Sequence, residues 1–130
     1  MAVLADTSIW DEYLRRGRES EAARLDDLVV AGDVASCGPV VAQVLAGSKS
    51  PARGRLWLLM TGLRWADLRQ LQWQSVGETA ARLRERGEAV ALTDIEIAVA
   101  AVDSSSRLWT RDSDFKRVRD VLPALQFFEP

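Results

Sequence analysis

Met1-Ala2-Val3-Leu4-Ala5-Asp6-Thr7-Ser8 opens the chain with five apolar residues, one carboxylate and two hydroxyls. A short continuous apolar run leading into an amphipathic segment predicts a buried strand that feeds a helix. Thr7 or Ser8 reads as the helix N-cap, and Asp11, three residues after Ser8, supports a capping box. Asp6 then stands at the carboxyl end of a buried strand, beside a helix N-terminus. Open α/β sheets bind their ligands along that edge. Taken alone, Asp6 reads more simply as a strand terminator and helix cap, so the rest of the chain has to decide its role.

Working outward, a helix is expected over Ser8–Leu14, then a polar break at Arg15-Arg16-Gly17-Arg18 and a second helical pattern from Glu19 to Ala31. Val34 to Cys37 forms the next strand candidate. Pro39 suits the first position of a helix running from Val40 to Ala46, with Gly47 at its end. An apolar helix covers Arg53 to Met60, and a short edge strand is placed around Trp65 to Leu68. Ser75 to Arg86 is an arginine-rich helix. Thr93-Asp94-Ile95-Glu96 reads as a capping box for the nearly all-apolar helix Ile95–Val102, which should be central. Arg107–Thr110 is a strand, Phe115–Val121 a helix and Ala124–Phe128 a final strand. Strands alternating with helices predict one domain over residues 1–130, a three-layer α/β/α sandwich with a central parallel sheet.

Composition removes whole classes of chemistry. The chain has no histidine and a single cysteine, Cys37. Histidine general bases, histidine metal ligands, Ser-His-Asp triads, cysteine zinc sites and internal disulfides are all excluded. Cys37 lies among apolar residues and reads as a packed thiol. The net charge of −2 gives no bulk attraction to nucleic acid. Of the 17 basic residues only Lys49 and Lys116 are lysine. Arginine suits bidentate phosphate contact, although a GC-rich genome explains the bias as well. No apolar run reaches the roughly 18 residues of a membrane span. The opening run is too short, and lacks the basic flank, for a signal peptide. A cytoplasmic protein without membrane contact is expected.

Acids recur at the junctions between elements. Asp6 ends the first strand, Asp94 starts the buried helix, and Asp112 and Asp114 follow the Arg107–Thr110 strand. Each has a local reason to be there, as a cap or a dipole partner worth about 1 kcal/mol. Together they place carboxylates from three chain segments on one rim. Converging carboxylates repel each other unless a cation joins them. With oxygen donors alone, that cation is magnesium or manganese. Such an ion characteristically serves phosphoryl chemistry, which points to phosphodiester hydrolysis.

The sequence resembles the PIN-domain nucleases, and within them the VapC-type toxins of bacterial toxin–antitoxin pairs. Leu4-Ala5-Asp6-Thr7-Ser8 is similar to the first acidic motif of that family, and Leu92-Thr93-Asp94-Ile95 followed by Ile97-Ala98 to the third. Leu108-Trp109-Thr110-Arg111-Asp112-Ser113-Asp114-Phe115 is similar to the fourth. The resemblance spans essentially the whole chain. It implies a metal-dependent endoribonuclease of RNA, blocked by a cognate antitoxin and often a homodimer. The implied catalytic positions are Asp6, Gln43, Asp94 and Asp112, with Asp6, Asp94, Asp112 and Asp114 as metal ligands.

One position departs from the family pattern. The second acid is normally a glutamate in the helix after the second strand, where Pro39-Val40-Val41-Ala42-Gln43-Val44-Leu45-Ala46-Gly47 has glutamine. The amide keeps the shape and a carbonyl oxygen but loses the charge. Weaker metal binding and slower or absent cleavage follow, and a PIN-fold protein that binds RNA or antitoxin without cutting is the alternative. Natural divergence and a deliberate Glu-to-Gln change both account for the amide, and its isostery favours the second. A Toprim-type domain would leave Asp94 unused and expects glutamate at position 6. A haloacid-dehalogenase-type phosphatase would need an aspartate where Ser8 stands. Arg111 and Lys116 flank the acidic loop and are the first candidates for RNA phosphate contact, with Thr7 beside them through its hydroxyl. Trp57 and Trp65 lie in the middle region that in these toxins contributes to antitoxin binding or dimerisation; core packing is the default reading for each tryptophan, and Trp10 and Trp109 fit it by position.

Overall fold

A computed structural model describes all residues, Met1–Pro130. Four short strands form a parallel sheet in the order β3-β2-β1-β4. These are β1 (Val3–Ala5), β2 (Val34–Ser36), β3 (Arg64–Trp65) and β4 (Arg107–Trp109). Seven α-helices flank the sheet: α1 (Thr7–Arg16), α2 (Arg24–Val30), α3 (Gly38–Ala46), α4 (Ser50–Thr61), α5 (Gln70–Glu85), α6 (Leu92–Asp103) and α7 (Asp114–Val121). The expected three-layer parallel sandwich is the observed architecture.

The sheet is parallel because a helix intervenes between each pair of strands, and its inner strands are apolar on both faces. Val3, Leu4 and Ala5 are all buried, and Leu4 pairs with Ala35 on one side and Leu108 on the other. Strand order reverses between β1 and β4, which makes the carboxyl end of that pair the crevice of the sheet. The residues that follow these strands, Asp6 and Thr110–Asp114, therefore share one mouth.

Helix α6 is central, as its apolar sequence requires. Ile95, Ile97, Ala98, Val99, Ala100 and Ala101 are buried, and the helix packs against α3, α5, α7 and β4. Small alanines let these neighbours come close while the branched residues fill the layer. Trp10 and Trp109 are core residues. Cys37 is buried too, and burial pushes its thiol up to about 11, which suits a packed thiol. No helix is long and apolar enough to cross a membrane.

Several local expectations are corrected. Asp6, not Thr7 or Ser8, caps α1: its Oδ1 accepts from the Ile9 N–H at 3.2 Å. Aspartate is as good a cap as serine, and it is already held by the strand end. The Thr93 capping box does not form, because α6 begins at Leu92 with Ala91 at the cap and no side-chain cap bond. The pattern Glu19–Ala31 divides into two 3₁₀ turns, Gly17–Glu19 and Glu21–Ala23, followed by α2. Helix α5 starts five residues earlier than expected, where Gln72 Oε1 accepts from the Arg69 N–H at 3.0 Å. The last strand shrinks to a single parallel bridge between Leu108 and Phe127.

Candidate active site

Asp6 lies at the floor of the crevice and is 4 % exposed. Its Oδ1 accepts from Ser8 Oγ at 2.5 Å, and its Oδ2 accepts from Thr110 Oγ1 at 2.5 Å. Burial pushes its carboxyl above the usual carboxylate range, against the pull of these hydroxyls and the Ile9 N–H. The same hydroxyls tie β1 to the loop after β4. Ser8 Oγ accepts from the Arg111 N–H at 3.1 Å, and Thr110 Oγ1 from the Asp112 N–H at 2.9 Å. Thr110 was not among the residues singled out from sequence. Its only signal is a hydroxyl placed directly after a buried strand and two residues before an acid.

Above this floor, carboxylate oxygens of Asp94, Asp112 and Asp114 lie within 4.8 Å of one another. Asp94 enters from the first turn of α6. Asp112 Oδ1 accepts from the Asp114 N–H at 2.9 Å, which closes the turn into α7. Asp114 is the first residue of that helix and pairs with Arg117 at 2.5 Å. Asp6 is not within this tight trio, but its charge is felt there. Burial, then Asp112, Asp6 and Asp114, push the Asp94 carboxyl up to about 6. Three acids from two segments, with Arg117 as the one close ion-pair partner, leave the group short of positive charge. A hard divalent cation fits that donor set, because every donor is a carboxylate oxygen.

Gln43 is exposed on α3, and Thr7, the residue after Asp6, donates its Oγ1 to Gln43 Oε1 at 2.5 Å. A neutral amide therefore stands at this position of α3, held by the residue that follows Asp6. Glu96 makes no capping bond and instead lines a cleft with Gln43, Trp65 and Trp73. Burial raises its carboxyl above the ordinary value.

The two basic candidates differ. Arg111 is drawn toward acids, with Glu12 at 3.4 Å and Glu21 at 3.6 Å. Glu12, buried on α1, also binds Arg15 at 2.7 Å and Arg16 at 3.2 Å. Much of the Arg111 charge is therefore already answered. Lys116 is exposed on α7 and in no ion pair, so it is free to meet a phosphate. Trp57, Trp65 and Trp73 are about half-exposed, together with Leu58 and Leu71. These side chains lie outside the core.

The fold and the crevice define an α/β protein with a cluster of acidic side chains at the topological switch of its sheet. The sequence matches the PIN domain over residues 3–121, and the chain belongs to that family. A search of curated protein sequences gives no match. Similar solved structures include a chain of VapBC2 from Rickettsia felis bound to a promoter DNA fragment. It is 22% identical with a TM-score of 0.75, covering 98% of this chain and 98% of that one. VapBC-1 from nontypeable Haemophilus influenzae is 18% identical with a TM-score of 0.75, covering 99% and 98%. VapC20 of Mycobacterium tuberculosis, a Sarcin-Ricin loop cleaving toxin, is 15% identical with a TM-score of 0.66, covering 89% and 94%.

Proposed function

We propose that this chain is a magnesium-dependent endoribonuclease toxin, acting in the cytoplasm and neutralised by a cognate antitoxin. The observation that carries the reading is the trio Asp94, Asp112 and Asp114 standing over Asp6, an all-oxygen set in a PIN domain. These four acids hold magnesium or manganese, with Gln43 offering its amide oxygen at the edge of the set. When bound, such a cation polarises the phosphoryl oxygen and lowers the pKa of an attacking water. The chain itself supplies the frame. Asp6 and its hydroxyl partners fix the acidic loop, Thr7 orients Gln43, and Lys116 with Arg111 attracts the RNA backbone. The similar VapBC complexes support an antitoxin partner, and the exposed Trp57 and Leu58 offer it or a second copy an apolar surface.

Gln43 favours a second reading, a PIN-fold protein that binds RNA or antitoxin but no longer cuts. Cleavage of a labelled RNA pool with magnesium, with EDTA and with Gln43→Glu separates the two. The nuclease reading expects magnesium-dependent cleavage that rises in Gln43→Glu. RNA bound but left whole by both proteins would establish the binder.

A further inference from the structure

Two clefts, one lined by Thr93 next to Asp94 and the other by Asp112, differ in charge. One, of about 530 Å³, is lined by Trp65, Trp73, Gln43 and two acids, Asp67 and Glu96, with no lysine or arginine. The other, of about 420 Å³, shares Asp112 with the acidic trio and runs between the start of α7 and the C-terminal segment. Its mouth carries Lys116 and Arg119, both exposed and neither in an ion pair. Its apolar wall includes Trp109 and Phe127. The Arg119 guanidinium lies over the Phe127 ring, 4.7 Å from its centroid. Two acids, Glu21 and Glu129, also line it, and Glu21 is paired with Arg111.

We propose that this second cleft is a nucleoside subsite, holding the RNA residue next to the phosphate at the acidic cluster. The inference rests on the nuclease reading and names where that substrate's neighbouring base goes. The volume lies in the range of about 300–1,000 Å³ usual for small-ligand sites. A phosphodiester chain leaving the acidic cluster avoids the cleft with Asp67 and Glu96 and follows the one with free cations. Lys116 meets the phosphate on that side. The base stacks on the outer face of the Arg119 guanidinium, which the Phe127 ring backs and holds in place, because guanidinium planes stack nucleobases. Phe127 is held in place by the backbone bridge to Leu108, so the platform is anchored to the same strand that carries the acidic loop.

The test is binding of a short single-stranded RNA containing 2-aminopurine, measured in EDTA by anisotropy and by quenching of the base. The full chain is compared with Phe127→Leu, Arg119→Gln and Arg55→Ala. Phe127→Leu keeps an apolar side chain, and Arg119→Gln changes an exposed helix position, so one variant remains informative if the other unfolds. Loss of roughly tenfold in affinity is expected for each, with lost quenching for Phe127→Leu and little change for Arg55→Ala. Adenosine 5′-monophosphate should displace the probe better than inorganic phosphate does. RNA bound equally by all variants, or displaced equally by phosphate, would overturn the subsite and leave the nuclease reading standing. No RNA binding by the unaltered chain, with magnesium as well as in EDTA, would overturn both.

Discussion

Thr110 donates its hydroxyl to Asp6 Oδ2 across the switch point of the sheet, joining the ends of β1 and β4. Thr110 Oγ1 in turn accepts from the Asp112 N–H, so one side chain sets the distance between the floor of the site and its acidic loop. An aspartate buried at the end of a strand is costly unless its oxygens are met by donors. Here those donors are the groups that also shape the loop.

Thr110→Val preserves volume but removes both bonds. Unfolding in urea should show a loss of about 1–3 kcal/mol, since Asp6 Oδ2 and the Asp112 N–H both lose a partner. Magnesium affinity by calorimetry should fall several-fold, whereas Thr110→Ser should retain most of both. A valine variant with unchanged stability and affinity would show that the loop is held by other contacts.

Asp94 makes the metal-free chain sensitive to pH. Its folded carboxyl titrates at about 6, above the ordinary value of 3.8. Between these values the folded chain keeps a proton that the unfolded chain loses, so stability falls as pH rises through that window. Melting in EDTA should therefore give a lower Tm at pH 7 than at pH 5. Asp94→Asn should flatten this dependence and raise the Tm at pH 7.

Divalent metal should reverse the same effect. A cation at ten times its Kd adds about 1.4 kcal/mol to stability, a shift of a few degrees in Tm. The shift should be larger at pH 7.5 than at pH 5, because protons compete for the acids at low pH. Equal shifts at both values, or none, would argue against a carboxylate site.

Gln43→Glu restores a charge beside Thr7. Magnesium should bind about tenfold more tightly. The metal-free protein should lose stability, since a fifth carboxylate joins an already repulsive group. A glutamate variant with unchanged metal affinity in titration would place position 43 outside the metal set.

Phe115→Ala should be the harshest of these changes to the fold. Phe115 is fully buried directly after the acidic loop, and aromatic-to-alanine truncations cost about 3–5 kcal/mol. Denaturant unfolding should report that loss, and near-ultraviolet dichroism should show whether the tertiary packing around the tryptophans survives.

Much of the architecture is legible in residue order because burial leaves periodic marks. The run Val3–Ala5 and the apolar face-all-round of Ile95–Val102 admit few places in a small α/β protein, and both are central. Element ends are less legible. Thr93 and Glu96 match a capping box, yet the helix begins at Leu92, with Ala91 at the cap and no side-chain cap bond. Phe127 looks like part of a full strand but keeps only one bridge, to Leu108.

The acids Asp6, Asp94, Asp112 and Asp114 stand out by position in the chain, as carboxylates at the ends of buried elements. Only the folded chain assigns them different environments. It buries Asp6 under two hydroxyls, gathers the other three near it, and ties up Arg111 with Glu12 and Glu21 while leaving Lys116 outside any ion pair and Arg119 over the Phe127 ring. The physical reason is range. Hydrophobic periodicity is written within a few residues, so sequence determines the layers and the strand ends. Charge pairing and hydrogen bonding join residues up to 104 positions apart, as Asp6 and Thr110 are, and only packing decides which of them meet.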